Sequence, residues 1–113
     1  MSPNLKALEV TATSYEAALE VFNARAALLR SEYSLEYHTA LREAAEACRS
    51  LYLDFCRLAG AKTAGTTGLF AELDSLTLEI TPRQRAEAIT RLGQSLEHYQ
   101  RQIKQVIQDI RAS

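Results

Sequence analysis

The chain has no tryptophan, and its 113 residues include only four glycines, two prolines, two cysteines and one methionine. Such scarcity of glycine and proline removes the residues that fold a turn-rich β-protein or keep a chain disordered, so helix is expected to dominate. No apolar run approaches the roughly 18 residues that a membrane-spanning helix needs. The opening Met1-Ser2-Pro3-Asn4 leads into amphipathic sequence without the charged and apolar stretches of a secretory signal, so a cytoplasmic protein is expected. Neither sign of charge dominates, the net charge being −1. A protein living by non-specific phosphate contacts is normally basic overall, so nucleic acid is a less favoured partner. Cys48 and Cys56 lie about 12 Å apart along one helix, beyond disulfide reach, and read as reduced thiols in the core.

Against these absences stands one strong pattern. Ile89, Leu92, Leu96, Tyr99, Ile103, Val106 and Ile110 recur at alternating steps of three and four, an apolar seam that has to be covered by another helix. A second seam runs through Leu5, Leu8, Ala12, Tyr15, Leu19, Phe22, Ala26, Leu29 and Tyr33. A third comprises Tyr37, Leu41, Ala44, Cys48, Leu51, Phe55 and Leu58, widened by Ala45, Tyr52, Cys56 and Ala59. With a hydrophobic fraction of 47%, the chain suits one core and one domain, residues 1–113. The expected fold is all-α: an up-and-down bundle of three long helices plus one short helix with coiled-coil-like packing, the helices spanning about 3–31, 35–59, 67–76 and 82–112.

Local signals mark the boundaries. Ser2 can cap a helix that opens with Pro3, Ser34 can cap the next, and Gly60 suits its left-handed end. The rhythm of steps breaks at residues 31–34, which reads as a hairpin; the competing reading is one continuous helix of about 55 residues, roughly 80 Å long, coverable only in an oligomer. Residues 60–68 form the flexible stretch. Thr66 or Thr67 then caps a short helix carrying Leu69, Phe70, Leu73 and Leu76, a plug over the end or side of the bundle, with Leu78 and Ile80 as an extended exit. Thr81-Pro82-Arg83-Gln84 is a capping box with proline in first position, the clearest start signal in the chain. Glu87 with Arg91 and Glu97 with Arg101 have the spacing of helix-stabilising ion pairs.

Chemistry is thinly represented. Gly60 and Gly65 have the spacing of a phosphate-binding loop, but Thr66 stands where lysine is required and no strand precedes it. Neither Glu-x-x-His nor His-x-x-x-His occurs, so no metal and no other cofactor is expected. Ser95 and His98 share a helix turn without a carboxylate evidently placed to orient the imidazole. The hydroxyls of Tyr15, Tyr52 and Tyr99 need partners if buried. Residues 82–113 hold six basic side chains against three acidic ones, and Arg91, Gln94, His98, Arg101, Gln105 and Gln108 follow one another in steps of three and four opposite the last seam. Arg91, Gln94, His98, Arg101 and Gln105 are therefore the candidate contacts to a partner or to phosphate.

The stretch Arg91-Leu92-Gly93-Gln94-Ser95-Leu96-Glu97-His98-Tyr99 resembles the Arg-x(4–6)-His signature of HEPN-type helical bundles. Lys62-Thr63 followed by Gly68-Leu69-Phe70 after a long helix is similar to their middle connector. The resemblance implies metal-independent RNA cleavage by a dimer, with Arg91 binding phosphate and His98 as acid/base group. The chain departs from that pattern at Leu92, an apolar seam residue where the family usually has a polar one. The expectation drawn from the residues themselves is different: a non-enzymatic helical interaction or scaffold module that self-associates or docks on a protein partner.

Overall fold

The computed structural model describes residues 4–113, which form four helices: α1 Leu5–Ser31, α2 Leu35–Ala59, α3 Gly68–Asp74 and α4 Pro82–Ala112. The expected cap at Ser2 and the proline start at Pro3 lie outside the described residues. Within them α1 begins two residues later than expected, because the side chain of Asn4 accepts the Ala7 N–H at 3.2 Å and supplies the cap itself. Ser34 caps α2 by accepting the Tyr37 N–H, and Gly60 ends it at φ +66°, where a side chain is strained. At Thr81 the expected capping box is complete, with Gln84 N donating to the threonine hydroxyl and Thr81 N to the Gln84 amide oxygen.

The break at residues 31–34 is a hairpin. Glu32, Tyr33 and Ser34 lie between the helices, and Arg25 reaches across from α1 to the Ala40 carbonyl of α2 at 2.8 Å. No glycine ends α1; the carbonyls of its last turn are taken by Arg85 of α4, whose Nε donates to Leu29 O at 2.8 Å and Nη2 to Arg30 O at 3.2 Å. Arg85 is buried for this purpose. Arg111 pairs with Glu9 at the far end, so α4 runs antiparallel to α1 and parallel to α2.

Two parallel helices need a return between them, and residues 61–76 provide it. Lys62 O lies at Gln102, Gly65 O at Tyr99, Glu72 at Arg91 and Leu73 O at His38, so this segment travels back along the side of the bundle. The third rod is thus half irregular backbone and half helix. The short helix is shorter than expected, seven residues, and Thr67 makes no side-chain cap; Thr66 instead turns inward and accepts from Arg49 Nε at 3.1 Å. The exit past Leu78 is a turn, not extended, and leaves that leucine 79% exposed.

The core joins Leu8, Tyr15, Phe22 and Leu29 of α1 to Leu41, Cys48, Tyr52 and Phe55 of α2, Leu69 and Leu73 of α3, and Ile89, Leu92, Leu96 and Ile103 of α4. Two seam positions differ from the expected ones. Ile107 is buried and Val106 only partly, because a straight helix drifts about 20° per heptad and moves its inward stripe by one residue after three of them. Leu58 is exposed, because the buried arc of α2 swings through Tyr52, Cys56 and Ala59 toward the returning segment. No helix among the described residues is long and apolar enough to cross a membrane.

Candidate functional site

The polar stripe of α4 divides into two parts. Arg91, Gln94 and His98 line an open groove of about 520 Å³ together with Ser95, Tyr99, Glu72 and the backbone around Gly65 and Gly68. Arg101 and Gln105 lie beyond it; Gln105 donates to Asp109 on its own helix at 2.8 Å. Glu72 on α3 changes the character of the groove. Its carboxylate accepts from Arg91 Nε at 2.8 Å and from Nη2 at 3.1 Å, a two-pronged pair that holds α3 to α4 and keeps the guanidinium even more firmly protonated than usual. Arg91 therefore spends its fork on a carboxylate. The spacings expected within α4 resolve otherwise: Glu87 pairs with Arg83, and Glu97 makes no ion pair with Arg101 among the described residues.

His98 is exposed, its ring tilted beside Tyr99 at 6.2 Å between centroids, and among the described residues no hydrogen bond joins it to Ser95. No three His, Cys, Asp or Glu side chains are clustered to hold a metal among those residues either. The other histidine is structural. His38 Nε2 donates to Leu73 O at 2.8 Å, since a carbonyl only accepts, and Nδ1 takes the Tyr33 O–H at 3.0 Å.

Beneath the groove the tyrosines are occupied. Tyr15 donates to Leu96 O, Tyr99 to Gly65 O, and Tyr52 both accepts the Ala64 N–H and donates to Gln102, whose amide in turn reaches Lys62 O. Tyr52 and Tyr99 stack at 4.3 Å. Burial raises the pKa of all three hydroxyls above the ordinary tyrosine value, most for Tyr15, which also feels Cys48, Tyr99 and Tyr52. Burial likewise pushes the Cys48 thiol up to about 12, and both cysteines are free. Tyr52, Tyr99 and Gln102 fasten the irregular returning backbone, which has no ladder of its own, to α2 and α4, while Tyr15 ties α1 to α4.

The feature that sequence reading missed is on the opposite side of the molecule. Val10, Ser14, Ala17, Val21, Ala24, Leu28 and Ser31 repeat in steps of four and three along the outward face of α1, a second seam back to back with the buried one. Val10, Val21 and Leu28 are 60, 45 and 48% exposed, and Leu35, just past the hairpin, 74%. The signal is present in the spacing but masked, because the larger apolar residues of α1 lie on its inward face and the outward stripe is built mostly of valine, alanine and serine. No charge interrupts the outward stripe; Glu9, Glu16 and Glu20 flank its first half, Arg25 and Arg30 its second. No family model, curated protein or solved structure matches the chain, so the resemblance of Arg91 to His98 to the HEPN signature rests on those residues alone.

Proposed function

We propose that the protein is a non-enzymatic helical interaction module that binds a helix of another protein molecule through the outward face of α1. The observation that carries this reading is the exposed heptad-spaced seam from Val10 to Leu28. An apolar stripe at that spacing stabilises only when a second helix covers it, and every helix of the bundle is already engaged on the inward side. A reducing, cytoplasmic setting accords with two unpaired, buried cysteines. The test is site-specific photo-crosslinking in cells with a photoreactive residue at position 21 and, as control, at Gln105 on the polar face of α4. Adducts from position 21 that vanish when Leu28→Glu is added support the reading; no adduct from position 21 overturns it.

A second reading, an RNA-acting bundle, draws on the groove that gathers Arg91, Gln94 and His98. It has to displace Glu72 from Arg91 before a phosphate is held. If it operates, Arg91→Ala and His98→Ala each abolish cleavage of single-stranded RNA or weaken binding, and affinity falls steeply with added salt. Wild-type protein that neither binds nor cleaves RNA at low salt removes it.

A further inference from the structure

We propose that the partner covering the outward face of α1 is a second copy of this chain, docked antiparallel about a two-fold axis that crosses α1 between residues 22 and 23. The proposal rests on the reading of that face as an interaction surface and adds its occupant and geometry. Three observations on α1 select it.

The first is size. Antiparallel helices pair seam positions whose numbers sum to a constant, and the sum of 45 places Val21 against the partner's Ala24, Ala17 against the partner's Leu28, and Ser14 against the partner's Ser31. Bulky residues meet alanine, and the two serines meet near the ends, which keeps the helix separation short and even over the central layers. A parallel dimer sets Leu28 on the partner's Leu28 and Ala17 on the partner's Ala17, wedging the helices apart at one layer and leaving a void at the other.

The second is charge. Apart from Lys6 in its first turn, the charged side chains of the first half of α1 and its midpoint are the acidic Glu9, Glu16 and Glu20, and those of the second half are the basic Arg25 and Arg30. Antiparallel docking lays Glu16 on the same flank as the partner's Arg30 and opposes the two helix dipoles favourably. Both side chains are exposed in the isolated chain, and Glu16 has no ion-pair partner among the described residues. The neighbouring antiparallel register, one heptad shorter, brings Glu20 against the partner's Glu20 and is disfavoured by like-charge contact.

The third is self-complementarity. A two-fold interface requires one patch to carry both halves of every contact, and from Ser14 to Ser31 this face does so, with Val10 falling opposite a position beyond the end of α1.

The experiment uses the purified full-length chain. Sedimentation equilibrium across a concentration series is expected to show the 12.6 kDa chain doubling in mass, and Ala24→Glu, on an exposed helix position, is expected to raise the dissociation constant at least about a hundredfold, the price of a charge buried at the centre of the seam. Circular dichroism confirms that Ala24→Glu remains folded. Orientation is read by oxidation: Ala17→Cys protein mixed with Leu28→Cys protein forms a disulfide between the two species, while neither forms one alone. Cys48 and Cys56 are buried and stay silent. A wild type that remains monomeric at about 1 mM, where even weak specific pairs associate, overturns the proposal. So does a dimer that tolerates Ala24→Glu, or one in which each single-cysteine protein links to itself. If the chain is monomeric while position 21 still yields adducts in cells, self-association fails and the interaction reading survives; if neither occurs, both fail.

Discussion

Replacing Arg85 with methionine tests whether a helix end without glycine is held by a side chain from another helix. The change keeps the aliphatic stem that packs in the core and deletes the two donors that reach Leu29 O and Arg30 O. Hydrogen bonds from a charged donor are worth about 1.5–3 kcal/mol each, and a cation at a helix C-terminus adds about 0.3–1 kcal/mol. The freed carbonyls recover part of this from water, since they lie beside the exposed residues Arg30 to Glu32. A net loss of about 2–4 kcal/mol follows, and at roughly 2.1 cal/mol/K of unfolding entropy per residue it lowers Tm by about 8–17 °C. Urea unfolding of wild type, Arg85→Met and Arg85→Lys provides the assay. Lysine carries the charge but not the planar fork, so it is expected to recover less than half of the loss. Hydrogen exchange adds a local readout: the Glu32 N–H, which donates to Leu28 O, loses protection before the rest of the bundle. An Arg85→Met protein within 0.5 kcal/mol of wild type, the range of neutral surface substitutions, would show that water caps this turn as well as the guanidinium does.

Tyr52→Phe leaves the Ala64 N–H and Gln102 without their shared partner and is expected to cost about 1–3 kcal/mol, with faster amide exchange at Ala64 by NMR as its local signature. Stability is expected to decline in alkali. Cys48 keeps its proton in the folded state up to about 12, whereas unfolded chains release it near 9.0. The unfolded state therefore binds fewer protons above that lower value, and each pH unit between the two removes roughly 1.4 kcal/mol. Denaturant titrations at rising pH show the decline, and Cys48→Ala makes it shallower. Two glycines are expected to respond with opposite signs. Gly60→Ala, forced to positive φ, costs about 1–2 kcal/mol. Gly93→Ala, inside α4 and meeting Phe22 only at an ordinary 3.8 Å, gains about 0.5–1 kcal/mol from helix propensity. Thermal melts of the two variants check both.

The long helices were legible because their signals are local: a seam, a capping serine, a capping box, a glycine. The path of residues 61–76 was not, since what fixes it is long-range. Gln102 holds Lys62 O, Tyr99 holds Gly65 O, and His38 holds Leu73 O, each across dozens of residues of sequence. The polar stripe of α4 was legible as positions, but the partner of Arg91 lies on α3, so the spacing suggested Glu87 and the fold supplied Glu72. Arg85 reads as an ordinary basic residue in a first helical turn until the end of α1 is placed beside it.

The outward face of α1 shows why spacing alone ranks stripes poorly. Both faces of that helix obey the same steps of three and four, and a monomer has partners for one. Burial is worth about 25 cal/mol per Å² of apolar surface, so the face carrying Leu8, Tyr15, Leu19, Phe22 and Leu29 gains more from the intramolecular core than the face carrying Val10, Ala17, Val21, Ala24 and Leu28. The larger face folds the chain. The smaller one has too little area to compete for the core, and its alanines and serines leave room for a closer helix than the larger face does.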